Sequence, residues 1–440
     1  MTASLFTSTV FGALVSDPEV SALFEDEAFV AGMVRFEAAL AQGEAEAGAI
    51  PREAGLALAE AIGGARVDPA ALRAGTAVAA IPAPALVAEL RAQVPAALGQ
   101  WLHWGATSQD VVDTAFVLAL RDAAALIDAR LSTTAGALAR LAEAHRRTPM
   151  LGRTWAQHAT PMSFGLVAAY WLAAVVELRR SALGPEAFPL QLGGAVGDFS
   201  AIGPAGLETR ARMAEILGLG ARTPWHADRL PILKIGGWLT QVSVAFGKIG
   251  MDLIALSQSD VGEVRLGSAG GSSTMPQKQN PVGPSTLVAL ARSAVAAQGT
   301  LGQAALHGLQ RDGQAWILDW AALPGLALAA GGAARIAEET LAALEPDAAR
   351  MRANLDAAGA APLAEAISFA LSAHLPRAEA QALVKSAARE AAGGDLIAHL
   401  KGRTDAPIDW DRVSDPAQDL GLADALIDEI LAAAAEAGLV

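Results

Sequence analysis

The sequence contains no cysteine. Disulfides, thiolate metal sites and cysteine nucleophiles are therefore excluded together, and the composition fits a reducing, cytoplasmic setting. Basic residues are outnumbered, 32 Lys and Arg against 46 Asp and Glu, for a formal net charge of −14. A broad nucleic-acid footprint needs a basic face, so no nucleic-acid partner is expected. A few focused cations still suffice to hold an anionic substrate locally. No basic stretch followed by an apolar run opens the chain at Met1–Phe6, so no secretory signal is expected there. No uninterrupted apolar run of about 18 residues suggests a membrane span. The segment Ala321–Ala334 is apolar, but short and broken by glycine. No set of His, Asp and Glu has the spacing of a metal site. The glycine-rich Gln191-Leu192-Gly193-Gly194-Ala195-Val196-Gly197 is not a dinucleotide fingerprint, because no strand is legible before it.

Apolar residues are what the sequence has in abundance. They make up 53% of the chain against 18% charged and 5% aromatic. Such a chain buries a large core, and its dominant alanine and leucine favour helix. The apolar excess also points to helices buried between subunits, with a generally alanine-rich proteome as the alternative.

Glycine and proline mark long helices between them. Thr107-Ser108-Gln109-Asp110 has capping-box form with an acidic last position. The run after it keeps helical spacing to about Arg147, until Pro149 and Gly152 break it. Thr160-Pro161 reads as an N-cap and first helical residue, with that helix ending before Gly184-Pro185. Gly203-Pro204 opens a helix that Gly218 closes. A longer one is expected from Pro231 to about Gly267, and Gly283-Pro284 opens the next. No alternating run is long enough to build a sheet. The chain is therefore expected to be mostly α, with central helices of roughly 25–40 residues, well above the usual length and typical of multi-helix bundles. Three helical domains are expected: 1–106, a central long-helix bundle at 107–345, and 346–440.

Three polar segments interrupt this background: His103–Asp110, Gly152–His158 and Ser268–Pro281. Each is placed at a helix terminus, where free amides and the positive dipole end suit carboxylate binding. The third carries the most chemistry. Gly270 and Gly271 loosen the backbone, Ser272, Ser273 and Thr274 supply hydroxyls, Lys278 adds a positive charge and Asn280 an amide. That combination describes a lid able to close over an anion and present a hydroxyl to it; a plain solvated interhelix loop is the alternative.

The run Gly-Ser-Ser-Thr-Met-Pro-Gln-Lys-Gln-Asn-Pro at 271–281 closely resembles the signature of the fumarase/aspartase superfamily. Thr-Ser-Gln-Asp-Val-Val-Asp-Thr at 107–114 and Gly-Arg-Thr-Trp-Ala-Gln-His-Ala-Thr-Pro at 152–161 resemble its other two blocks, in the same order. The resemblance spans most of the chain. It implies a central helix bundle that assembles into the core of a homotetramer, with each active site shared between subunits and a small polycarboxylate as substrate. It also implies that Ser272 is the catalytic proton-transfer residue. A serine hydroxyl needs activation by its setting, which Lys278 and nearby amides would supply. Ser273, Lys278 and Asn280 map onto the same motif as substrate-binding positions. Thr107 and Ser108 map onto a carboxylate-binding helix N-terminus, a role compatible with simple capping. His103 matches a histidine just upstream and reads equally as a substrate contact or a structural histidine. Gln157 and His158 are further candidates for substrate contact. Arg311 resembles an arginine region after the loop helix and reads equally as a substrate cation or a structural ion-pair partner.

One departure narrows the chemistry. Relatives such as adenylosuccinate lyase read Arg-Thr-His in the second block, and that histidine is their second catalytic group. Here the residues are Arg153-Thr154-Trp155, and indole only donates. The glutamate that orients the histidine aligns with Ser285. This paired loss resembles the bacterial 3-carboxy-cis,cis-muconate cycloisomerases of the superfamily, which lactonise their substrate internally. Trp155 is then expected to line the substrate site, with core packing as its alternative. Lactonisation of this kind uses no metal, redox group or other cofactor.

Overall fold

Helix dominates the chain, as its alanine- and leucine-rich composition requires. The computed structural model describes residues 4–440 apart from 268–269, 272–274, 276, 392–394 and 419. The principal helices, in chain order, are α1 (Asp26–Ala47), α2 (Ser108–Ala144), α3 (Phe164–Arg180), α4 (Gly206–Leu217), α5 (Leu230–Leu256), α6 (Val282–Ala304) and α7 (Gly313–Ala342). With 37, 27 and 30 residues, α2, α5 and α7 have the expected length. Along α2 the residues Val111, Ala115, Leu118, Ile127, Leu131 and Leu138 are all buried, the stripe that a 3.6-residue period turns toward a core. Gly218 closes α4 in the left-handed conformation, φ 64°, with its N–H bonded back to the last turn.

By length and composition alone, α5 and α7 are apolar enough to cross a membrane. Half of the relevant stretch in α5 and 67% of that in α7 are buried inside the protein. Their apolar character therefore goes largely to the core. A search for unbroken apolar runs passes over both, because Lys234 interrupts one and Asp319 the other.

The chain forms two contact units. The first comprises Met1–Arg130, Ser181–Gly247 and Thr286–Ile336; the second comprises Leu131–Arg180, Lys248–Ser285 and Ala337–Val440. In the first, α1 packs against the helix Arg52–Gly63 and against α4. Met33, Phe36 and Leu40 of α1 are fully buried there, each burial worth roughly 1.5–3 kcal/mol. In the second, α3 packs against the helix Ala423–Glu436, and Ile367, Leu371, Ala380 and Leu400 form a C-terminal core cluster.

Three short antiparallel ribbons, all in the second unit, depart from the sheet-free expectation. They pair β1 (Pro149–Thr154) with β2 (Gln157–Ser163), β3 (Val264–Leu266) with β6 (Leu344–Pro346), and β4 (Gly270–Gly271) with β5 (Gln279–Asn280). β1 and β2, of 6 and 7 residues, do not alternate buried with exposed positions, and the others have only two or three residues. Two boundaries shift with them. Thr160-Pro161 lies in β2, with Pro161 opposite Leu151, a position open to proline in a two-stranded ribbon. The cap of α3 is instead Ser163, whose Oγ accepts the Leu166 N–H at 3.1 Å. Helix α5 stops at Leu256 rather than near Gly267. The chain turns through left-handed Gly262, φ 62°, and enters β3.

Candidate active site

In the first unit the loop 103–107 delivers the chain to the N-terminus of α2. The expected capping box forms in part: the Thr107 N–H donates to Asp110 Oδ2 at 3.0 Å. The same oxygen accepts the Gly194 N–H at 3.0 Å, and Oδ1 bonds His226 Nε2 at 2.7 Å. Asp110 thus ties the start of α2 to the glycine turn at 193–197. Two glycines make that approach possible. Gly105 adopts φ 68° and Gly194 φ 75°, and a Cβ on Gly194 would stand 2.8 Å from the Gly105 carbonyl oxygen.

The Thr107 hydroxyl has a different partner. Arg311 Nη1 donates to it at 2.7 Å, and Arg311 Nη2 is held by the Ala195 carbonyl at 2.9 Å. No carboxylate pairs with Arg311 among the described residues, so the structure provides no ion-pair partner for it. Its Nε is enclosed without an acceptor. Ser108, half-buried, is the first residue of α2. A hydroxyl accepting from a guanidinium keeps its own hydrogen free to donate. The result is a cationic, donor-rich helix N-terminus, suited to a carboxylate.

Beneath this surface lies a buried polar network. Asp113, one turn after Asp110, accepts from Arg229 Nη1 at 2.6 Å, Trp316 Nε1 at 2.8 Å and Gln109 Nε2 at 3.2 Å. Arg229 also reaches Asp319 at 2.8 Å. Burial works against the Arg229 charge, but Asp113 and Asp319 outweigh it and hold the guanidinium above its ordinary range. Burial pushes Asp319 up to about 6, with Arg229 pulling the other way. Gln191 joins through its Nε2, which donates to Asp113 Oδ2 at 3.4 Å, while its Oε1 accepts the Trp225 N–H at 2.9 Å. The one legible signal was Asp110 and Asp113 at i, i+3, which share a helix face; their partners come from distant segments.

Two histidines of this unit differ in setting. His103 is left-handed, φ 60°, and its Nδ1 lies 2.7 Å from Glu37 Oε1. Burial opposes its charge, but the Glu37 carboxylate, its hydrogen bond and Asp110 together raise its pKa. His307, between α6 and α7, has both ring nitrogens enclosed without a partner among the described residues. Burial, and then the Arg229 charge, lowers its pKa.

In the second unit the segment 152–158 is a hairpin turn rather than a loop at a helix terminus. Thr154 faces Gln157, and the two residues between them, Trp155 and Ala156, have φ 52° and 58°. This is the type I′ pattern, which normally calls on Asn or Gly. The tryptophan is 99% exposed, so within this chain it is not a core residue. A bulky residue held left-handed at an exposed tip carries backbone strain. Gln157 and His158 are also exposed, with His158 opposite Arg153. Arg153 itself is spoken for: its Nη1 and Nη2 meet Glu263 Oε2 and Oε1 at 2.8 and 2.7 Å. Asn354 adds a bond to the same carboxylate at 2.8 Å.

The third segment is closed at its base by Gly270 opposite Asn280 and Gly271 opposite Gln279. Lys278 is exposed, its N–H bonded to the Met275 carbonyl at 3.0 Å, and Asn280 is half-buried. Ser272 and Ser273 lie outside the described residues. The structure therefore groups the expected residues as His103, Thr107, Ser108 and Arg311 in one unit and Trp155, Gln157, His158, Lys278 and Asn280 in the other.

A family model described as lyase matches residues 15–296. The chain belongs to this lyase family, the fumarase/aspartase superfamily. It is 38% identical to a 3-carboxy-cis,cis-muconate cycloisomerase of Pseudomonas aeruginosa, over 96% of both sequences. It is 37% identical to a nitrosuccinate lyase of Streptomyces davaonensis, over 97% of this chain and 95% of that one. Among solved structures, the 3-carboxy-cis,cis-muconate lactonizing enzyme of Pseudomonas putida superposes with a TM-score of 0.89. The match covers 98% of this chain and all of that one at 34% identity. The mostly helical fold is thus that of the superfamily, and the chain is an enzyme of it.

Proposed function

We propose that this lyase-family enzyme is a 3-carboxy-cis,cis-muconate cycloisomerase. It closes 3-carboxy-cis,cis-muconate to 4-carboxymuconolactone (2-carboxy-2,5-dihydro-5-oxofuran-2-acetate) in the protocatechuate branch of β-ketoadipate aromatic breakdown. The observation that carries this reading is the full-length likeness, in sequence and in fold, to enzymes of that name. Trp155 at the hairpin tip supports the same branch.

In the proposed step one carboxylate oxygen adds to a carbon–carbon double bond of the same molecule. The new C–O bond forms as the π electrons move to the carbon beside another carboxylate, and the Ser272 hydroxyl delivers a proton there. The serine then recovers its proton from solvent. Nucleophile and acceptor are already joined, so holding the reactive rotamer does much of the work. In reverse the leaving group is a carboxylate, stable without protonation, so no histidine is needed at position 155 to protonate it. The step needs no cofactor and no metal. Thr107, Ser108 and Arg311 would bind one carboxylate at the N-terminus of α2, with His103 beside them. Lys278, Asn280 and Ser273 would steady the developing charge. Trp155, Gln157 and His158 would close the site from a neighbouring subunit of a cytoplasmic homotetramer, whose mass light scattering would give.

Purified protein should remove the diene absorbance of 3-carboxy-cis,cis-muconate without added metal. The likeness to the nitrosuccinate lyase keeps a second reading, a lyase for another polycarboxylate. Consumption of nitrosuccinate with no loss of diene absorbance would select that reading and discard the cycloisomerase.

A further inference from the structure

Histidine 103 is built into its position more firmly than a surface residue of a connecting loop. It takes up a left-handed backbone, φ 60°, which a β-carbon disfavours. Its Nδ1 meets Glu37 Oε1 at 2.7 Å, across 66 positions of sequence. Glu37 lies on the buried face of α1 with its side chain fully enclosed, while the His103 side chain stays 21% exposed. The other Glu37 oxygen, Oε2, is enclosed with no partner. The carboxylate therefore has one hydrogen-bond donor among the described residues, and that donor is His103. A buried carboxylate retained for a single half-exposed imidazole is costly for the fold.

We propose that Glu37 is a positioning residue for His103. It anchors Nδ1–H, so that the imidazolium presents Nε2–H as the donor for a substrate carboxylate bound at the N-terminus of α2. This deepens the proposed carboxylate site and rests on it. The charged groups facing His103 come from three helices. Glu37 on α1 and Asp110 in the first turn of α2 favour the imidazolium, and Arg91, on the helix Ala83–Ala92, opposes it. Asp110 is already committed to His226, Gly194 and Thr107. Glu37 is the only one of the three that His103 touches. With Nδ1 held, the ring is fixed in one tautomer and direction when neutral, and donates from both nitrogens when charged. None of the described residues bonds Nε2.

The test uses the full-length protein and three variants, Glu37→Gln, Glu37→Asp and Glu44→Gln. The first readout needs no substrate. Acylation of His103 by diethyl pyrocarbonate, followed against pH by peptide mass spectrometry, reports the neutral fraction of the ring. In the wild type its midpoint should lie above the ordinary 6.5, and Glu37→Gln should move it down. The second readout is the pH profile of kcat/KM. Glu37→Gln should lower kcat/KM about ten- to a hundredfold and shift the alkaline limb to lower pH. Glu37→Asp should restore part of both, and Glu44→Gln, on the same buried helix, should leave the profile in place. A purely structural Glu37 would scale the whole profile down without moving the limb. A His103 midpoint at or below 6.5 in the wild type overturns the proposal even if Glu37→Gln does not fold. An unmoved midpoint in a folded Glu37→Gln does the same. If the wild type fails to lactonise the muconate, the acylation arm still decides the Glu37–His103 relation, so the two failures are separable.

Discussion

Arg311 donates to the Thr107 hydroxyl at 2.7 Å, joining the segment before α7 to the first residue ahead of α2. The sequence left Arg311 open between substrate cation and ion-pair partner, and the structure offers it a hydroxyl and carbonyls but no carboxylate. Among the described residues that guanidinium has no counter-charge. Arg311→Met should therefore raise KM for the tricarboxylate about ten- to a hundredfold, the value of a charge-assisted hydrogen bond. Its thermal midpoint should move by only a few degrees. Steady-state kinetics beside a melting curve separates the two effects. An unchanged KM with a large loss of stability would make Arg311 a fold residue.

Ser272 lies outside the described residues, and its role rests on the motif. Ser272→Ala should keep the far-ultraviolet circular dichroism and the oligomeric mass while turnover drops by at least about a hundredfold, the range for removal of a proton-transfer group. Near-normal turnover would take Ser272 out of the mechanism.

Arg153 belongs to the motif block but is engaged structurally. Its bidentate pair with fully buried Glu263 ties β1 to the start of β3. Arg153→Met would leave that carboxylate with Asn354 as its main partner. Breaking a buried pair from one side costs about 3–5 kcal/mol. Urea unfolding should show a loss of that order. A loss below about 1 kcal/mol would mean that the pair is solvated in solution.

Much of the helical frame was legible, because long apolar stripes and glycine or proline stops are local signals. The α2 capping box and the Gly218 terminus came directly from residue types. The hairpin at Trp155 was not legible, since a type I′ turn is normally announced by Asn or Gly and here carries Trp and Ala. The start of α3 and the end of α5 were misplaced: strand pairing with Leu151 overrode Pro161, and α5 stops where its apolar run gives way to Ser257-Gln258-Ser259-Asp260. Within the site, motif residues were legible and their supports were not. Glu37, His226 and Arg229 each bond a motif residue from far along the chain, and nothing in one sequence records which distant residue satisfies a buried charge.

Glu44 gives a pH-dependent prediction independent of catalysis. Burial, and then the nearby Glu37 charge, pushes it up to about 9. Neither of its carboxyl oxygens has a partner among the described residues. The folded chain keeps a proton there that the unfolded chain releases above about 4.5. This contribution is complete below pH 4.5 and is lost as pH rises toward 9, at up to roughly 1.4 kcal/mol per pH unit. Glu44→Gln carries a neutral amide of the same shape and has no proton to lose. Urea midpoints measured from pH 5 to pH 9 should fall less steeply in Glu44→Gln than in the wild type, leaving the variant the more stable of the two at the alkaline end. Parallel curves for the two proteins would show that Glu44 ionises in the folded state much as it does in the unfolded chain.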